Sequence, residues 1–142
     1  MNFSAPDIVL KAVTGESYDL RALQGKVVLI NFWATWCGPC RAEMPAIEQV
    51  YQAKRAQGLE VLAVDQQEDD ASVRSFGQQL GLTFPLLLDS DGSTARRYHV
   101  GALPTTFFVD RKGVIRDMAI GGPMTRASIE SKIDALLNEA SQ

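Results

Sequence analysis

The chain has 142 residues, 46% apolar and 22% charged, with a formal net charge of -3, which reads as one soluble domain spanning residues 1–142. So mild an acidic balance provides no basic field for phosphates, which sets nucleic acid aside as a partner, and it is too weak to signal disorder. The longest apolar run, residues 27–34 broken at Asn31, falls far short of the roughly 18 residues of a membrane span. Residues 1–11 lack the basic start, apolar middle and small-residue cleavage site of a signal peptide, so any leader or anchor is expected outside this chain.

Residues 8–13 and 17–20, around Thr14-Gly15, are hairpin candidates. Val27–Trp33 is a nearly continuous run of aliphatic and aromatic side chains, the pattern of a strand covered on both faces in the middle of a sheet. From Cys40, Met44, Ile47 and Tyr51 recur at helical spacing while Arg41, Glu48, Gln52 and Arg55 fall on other faces, which predicts a helix with one buried stripe, ended by Gly58. Residues 60–65 form another short apolar run, so strand, helix, strand reads as a right-handed parallel crossover. Asp69 or Asp70 can cap a helix over residues 72–80 that Gly81 stops, and Phe84-Pro85 opens an extended segment through Leu88. Residues 93–98 are a shorter helix candidate. Residues 105–110 and Val114–Ile120 are β-rich and flank Arg111-Lys112-Gly113, which predicts an antiparallel hairpin with Gly113 at positive φ. A final helix from Thr125 is expected to bury Ile129, Ile133, Leu136 and Leu137. With no repeat, low-complexity tract or long linker, the sum is a mixed α/β sandwich with helices on both faces.

The two cysteines of the chain, Cys37 and Cys40, lie within Trp36-Cys37-Gly38-Pro39-Cys40 and can pair only with each other. A disulfide closing so small a loop constrains the unfolded chain very little, which argues against a structural staple. A zinc site would need further ligands, and the one histidine, His99, is remote in sequence. Neither a metal nor another cofactor is expected. The pair falls where the buried strand ends and the long helix begins. There the unpaired N–H groups and the positive end of the helix dipole favour an anionic sulfur at Cys37. Cys40 lies on the same helical face but turns toward the buried stripe, so Cys37 is expected to meet solvent while Cys40 waits. That asymmetry suits disulfide exchange, in which Cys37 attacks a partner's disulfide and Cys40 then releases the reduced partner. Pro39 fits the first turn because it has no N–H to lose, and Gly38 leaves the approach to Cys37 open.

Phe32-Trp33-Ala34-Thr35-Trp36-Cys37-Gly38-Pro39-Cys40 resembles the active-site segment of the thioredoxin superfamily. Pro45 stands where such proteins kink the active-site helix. Pro104, in Val100-Gly101-Ala102-Leu103-Pro104-Thr105-Thr106-Phe107, matches the proline that the superfamily carries in cis facing the cysteines, and the backbone of Leu103 would then pair with a bound peptide. Over nearly its whole length the chain is similar to the TlpA/ResA-like group: Ala5-Pro6-Asp7, the entry strand from Gly25, an added helix region over residues 65–88, and Pro104-Thr105-Thr106-Phe107. The resemblance implies a thioredoxin-like α/β fold, a central mixed sheet flanked by helices on both faces, with an N-terminal β extension and an inserted helix region. It implies a thiol-disulfide oxidoreductase acting on disulfide-bearing protein substrates, recharged by an upstream thiol reductant such as a membrane electron donor. It also implies a place outside the cytoplasm, the cytoplasm remaining the other compartment open to it; the chain is expected to be a monomer. Gly38-Pro39 between the cysteines resembles reducing thioredoxins. Relatives that reduce apocytochrome c show glutamate after the proline where this chain has Thr105, so a dedicated role in cytochrome c maturation lacks that support.

Asn31 stands where thioredoxin has a buried aspartate, and Glu43 matches an acid that ResA-like proteins place near the cysteines. Glu43 can reach back one turn toward Cys40 as a proton carrier with a raised pKa, or it can be a solvated first-turn glutamate. Trp36 is expected to shield Cys37 and touch the partner, Trp33 to lie in the core and His99 on the surface. Asp65, Glu68, Asp69 and Asp70 miss the spacing of a calcium loop and read as a solvated cap region. Other functions stay open. A disulfide-forming oxidase or isomerase would use the same residues. A peroxide-reducing enzyme would use Cys37 but lacks here the upstream Pro and Thr spacing. A redox-inert peptide-binding module would need no paired sulfurs.

Overall fold

The computed structural model describes residues 2–139; Met1 and residues 140–142, the two ends of the expected domain, lie outside the described residues. Strand β4 (Val27–Trp33) is buried at every position, which is why its apolar run does not alternate. It pairs in parallel with β5 (Leu59–Gln66) and antiparallel with β7 (Thr105–Val109). Together with β1 (Phe3–Ser4), β6 (Leu86–Asp89) and β8 (Val114–Ile120) they make a six-stranded mixed sheet in the order β1-β8-β7-β4-β5-β6. A separate hairpin of β2 (Val9–Lys11) and β3 (Ser17–Asp19) is joined to edge strand β6 by a bridge from Ala12 to Leu87.

Helices α1 (Gly38–Lys54), α2 (Asp70–Leu80) and α4 (Arg126–Leu137) share one core with one face of the sheet: Met44 and Ile47 meet Val73, Phe76, Ile129 and Ile133 over Leu29 and Val61. The other face carries Val28, Ile30 and Phe32 beneath Ile8, Tyr98 and Ala95 of the short helix α3 (Ser93–Arg97). Phe32, Tyr98 and Phe107 stack there with ring centroids 5.2–5.9 Å apart. This is the thioredoxin-like arrangement of a mixed sheet with helices on both faces, as the sequence pattern and the resemblance implied.

Differences from the predicted elements lie at their ends. α1 starts at Gly38 rather than Cys40, because Cys37 supplies the cap and Pro39 needs no N–H partner in the first turn. α2 starts at Asp70, since the Asp69 side chain accepts from Ser72 N at 2.7 Å. β1 was not expected. Its two residues pair with Ile115 and Val114 of β8, too short a run to carry a period. Gly58, at φ 112°, closes the turn after α1, and Gly113, at φ 84°, takes the positive φ expected of the β7–β8 hairpin.

The seating of α1 rests on its buried stripe. Ile47 is 1% exposed within the α1–α4 core, so Ile47→Ala is expected to cost about 2–5 kcal/mol in denaturant unfolding while leaving the disulfide able to form.

Candidate active site

Past Trp33 the chain leaves the sheet, and Cys37 takes up an extended conformation as the N-cap of α1, its Sγ accepting from Cys40 N at 3.3 Å. A sulfur thus fills the place of the usual capping oxygen. Cys37 and Cys40 are joined as a disulfide with Cα atoms 5.2 Å apart. Cys40 is fully buried and Cys37 is 5% exposed. The expected solvent-facing sulfur is therefore corrected to a narrow opening, because the disulfide packs with Trp33, Ala34 and Met44 in the helix-side core. What projects into solvent is Trp36, 71% exposed, with Gly38 and Pro39 also exposed. A Cβ on Gly38 would meet nothing within 4 Å, so packing within the chain does not require glycine there.

The Leu103–Pro104 bond is cis, as the resemblance implied. Pro104 is buried, its carbonyl accepts from Gly121 N at 2.7 Å, and Thr105 Oγ1 donates to Ala102 O at 2.7 Å, tying the loop to itself. Among the described residues, Leu103 makes no backbone hydrogen bond, which leaves its N–H and C=O available. A groove of about 430 Å³ runs between Trp36, Gln66 and Gln67 on one side and Gly101, Ala102 and Leu103 on the other. Neither cysteine lines this groove or the larger cavity of about 500 Å³ between Val13, Tyr18, Arg74 and Phe84; what links the groove to the disulfide is Trp36, the residue before Cys37.

Glu43 is fully buried, which removes the solvated alternative. Its Oε2 accepts from Asn31 Nδ2 at 2.8 Å and its Oε1 from Met124 N at 3.1 Å. Asn31 Nδ2 also donates to Thr106 Oγ1 at 3.0 Å, while Asn31 Oδ1 has no partner. Turned over, the Asn31 amide would offer an acceptor to a protonated Glu43, so one side chain can serve either charge state. The segment after β8 lies directly over the carboxylate, where a Cβ on Gly122 would stand 2.5 Å from Oε1. The expected reach toward Cys40 is redirected: in the disulfide form Glu43 is held by β4 and by the segment before α4. Burial pushes its pKa up, and the Met124 N–H and Asn31 offset part of that push. Such a group can exchange a proton with a nearby thiol.

In the sequence Asn31 reads only as a lost acid, and its pairing with Glu43 is not visible there. The hint was the single polar residue inside an apolar strand; nothing marked the Met124 N–H. Trp33 is fully buried against the Phe76 ring at 5.2 Å, and His99 is exposed. The acidic run divides. Asp69 caps α2 and Asp70 is exposed beside Arg74, but Asp65 is fully buried and Glu68 is bonded to Thr35. The solvated reading is corrected for those two, since Asp65 in the β4–β5 register stands beside Trp33.

A carboxyl whose pKa is raised on folding stabilises the fold fully below its ordinary value, 4.5 for Glu43, and loses that contribution as pH rises through the raised value. Glu43→Gln keeps the shape without the charge. Its Tm should therefore gain on that of the wild type as pH climbs from below 4.5 toward neutrality, in a series of thermal melts. A constant gap across the series would mean that Glu43 is not raised.

The family model for the AhpC/TSA family matches residues 1–118. The chain is 41% identical over 133 residues to thiol-disulfide oxidoreductase ResA of Geobacillus kaustophilus, covering 94% of this chain and 76% of that protein. It is 46% identical over 133 residues to the thioredoxin-like protein YneN of Bacillus subtilis, covering 92% and 76%. Among solved structures it superposes on a Chlorobium tepidum protein described as a thiol:disulfide interchange protein DsbE with a TM-score of 0.90, at 34% identity and coverage of 96% and 97%. A secreted Mycobacterium tuberculosis disulfide oxidoreductase gives 0.82, at 27% identity and coverage of 91% and 96%. Since the family match and the relatives both take in the segment around Cys37 and Cys40, the chain belongs to the AhpC/TSA family as a thioredoxin-fold thiol-disulfide oxidoreductase similar to ResA.

Proposed function

We propose that this single-domain chain reduces disulfides of partner proteins, with Cys37 as nucleophile, Cys40 as resolving thiol and Glu43 as proton carrier. The observation that carries the reading is the placement of the pair: Cys37 at the cap of α1, next in the chain to Trp36 of the groove, and Cys40 fully buried three residues on in the first turn. In the reduced form the Cys37 thiolate attacks one sulfur of the partner's disulfide, and the other partner sulfur leaves as a thiolate. Cys40 gives its proton to Glu43 and attacks Cys37, which releases the second partner sulfur and closes the Cys37–Cys40 disulfide. Two electrons pass to the partner. An upstream thiol reductant, a membrane electron donor among the candidates, restores the dithiol.

Trp36 and the open backbone groups of Leu103 are suited to hold an extended partner segment as a short added strand, with Pro104 fixing the loop and Gly38 and Pro39 leaving the approach clear. One copy of the chain suffices for all of this. We place the protein outside the cytoplasm; the secreted Mycobacterium tuberculosis relative supports that compartment. No helix among the described residues is long and apolar enough to cross a membrane. Thr105 gives no support to a role confined to cytochrome c maturation.

Cys40→Ser, reduced and mixed with a peptide closed by one disulfide, should accumulate a mixed disulfide through Cys37 that the wild type resolves, while Cys37→Ser should trap none. Equal trapping by both variants would refute the assignment. Equilibration with glutathione decides direction: a reductase should lie at or below about -220 mV, and a value near about -120 mV would make the protein an oxidant instead.

A further inference from the structure

β5 carries a second buried carboxyl that the exchange reaction does not use. Asp65 is fully buried, and neither of its oxygens closes a well-formed hydrogen bond; the backbone N–H of Glu68 gives its charged form some support, which burial outweighs. An ionised carboxylate there would give up its hydration with little in return, a cost that weighs heavily on a marginally stable fold. The polar group that answers it is another acid. Glu68, three residues on in the loop before α2, lies within hydrogen-bonding reach of Asp65, and two carboxyl groups bond only by sharing a proton. Glu68 is itself engaged, its Oε1 accepting from Thr35 N at 2.8 Å and its Oε2 from Thr35 Oγ1 at 2.6 Å. Thr35 immediately precedes Trp36 and Cys37.

We propose that Asp65 is a positioning residue held in its protonated form: it donates to Glu68, and Glu68, fixed by that bond, grips Thr35 and so sets the segment that presents Trp36 and Cys37 to a partner. This inference rests on the exchange reaction proposed above for its purpose, though not for its geometry. The charged groups acting on Asp65 are Glu68 and Asp69, both acidic. The strands on either side bring Trp33 and Leu88, and Arg41 of α1 lies over the Phe76 ring. Burial first, then Glu68, push Asp65 up to about 9. Glu68, against the effect of its own burial, is drawn down by the bonds from Asp65 and Thr35. Opposite shifts of this kind describe one proton held unevenly by a pair.

Asp65→Asn keeps a donor toward Glu68 that cannot be titrated away, and Asp65→Leu removes it. The first readout is the Thr35 amide proton resonance of the oxidised protein, followed across the alkaline range. In the wild type it should shift with a midpoint near about 9, and in Asp65→Asn that transition should be absent. The second readout is turnover of a disulfide-closed peptide at neutral pH. Asp65→Asn should stay within about twofold of the wild type, and Asp65→Leu should lose about tenfold or more in kcat. A wild-type resonance without the transition, or the same transition in Asp65→Asn, overturns the proposal. Full turnover by a folded Asp65→Leu does so as well; should that variant not fold, the resonance arm decides alone. A wild type that reduces no disulfide would instead end the functional reading and leave the resonance arm standing.

Discussion

A strand with no wet face must end where its cover ends, and β4 ends at Trp33 against the first turn of α1. That junction places unpaired N–H groups and the positive end of a long helix at one spot, and Cys37 caps it. A charge at a helix end is stabilised by about 0.3–1 kcal/mol when exposed and by up to ~2 kcal/mol in a partly buried setting. Since about 1.4 kcal/mol corresponds to a tenfold change in protonation, the helix can tilt a thiol toward its anion by up to about thirtyfold. The rest of the molecule serves that junction: β5 and β7 bury β4 from the sides, α4 and α2 seat α1, and Leu103 of the Pro104 loop packs against the same core.

Two buried carboxyl groups flank the junction, and their different partners separate their uses. Glu43 has two N–H donors aimed at its oxygens, so its ionised form is supported despite burial, and it can move between charge states. Asp65 is buried beside another acid, and the backbone N–H of Glu68 offsets that only in part, so it keeps its proton until pH rises to about 9. A group that exchanges protons during turnover needs both states within reach near neutral pH. Glu43, raised by burial but with its charged form supported by two donors, is the candidate for that role, whereas Asp65, held protonated beside Glu68, is a fixed part of the scaffold.

The elements of this fold were legible where a period or a special residue marked them. The unbroken run of β4, the stripe of α1, the Asp69 cap, Gly81 and Gly113 all announce themselves, because burial and backbone conformation act locally. β1 was not legible, since two residues carry no period and its pairing with β8 joins distant parts of the chain. The cysteine motif and Pro104 stood out by resemblance. The surroundings of Glu43 did not: Asn31, Thr106 and the Met124 N–H come from three separate segments, and no one-dimensional signal joins them. Asp65 was misread for the same reason, because an acidic run looks solvated until the register puts one member beside Trp33.

Disulfide exchange of this kind depends on unequal roles for two sulfurs that the disulfide form buries almost equally, 5% exposed against none. The most direct measurement is the order of their alkylation: fully reduced protein, a limiting amount of iodoacetamide at mildly acidic pH, and peptide mapping of the singly labelled product. The helix cap and the groove predict label on Cys37 well ahead of Cys40. Label spread evenly over both, or found first on Cys40, would contradict the assignment of nucleophile and resolving thiol.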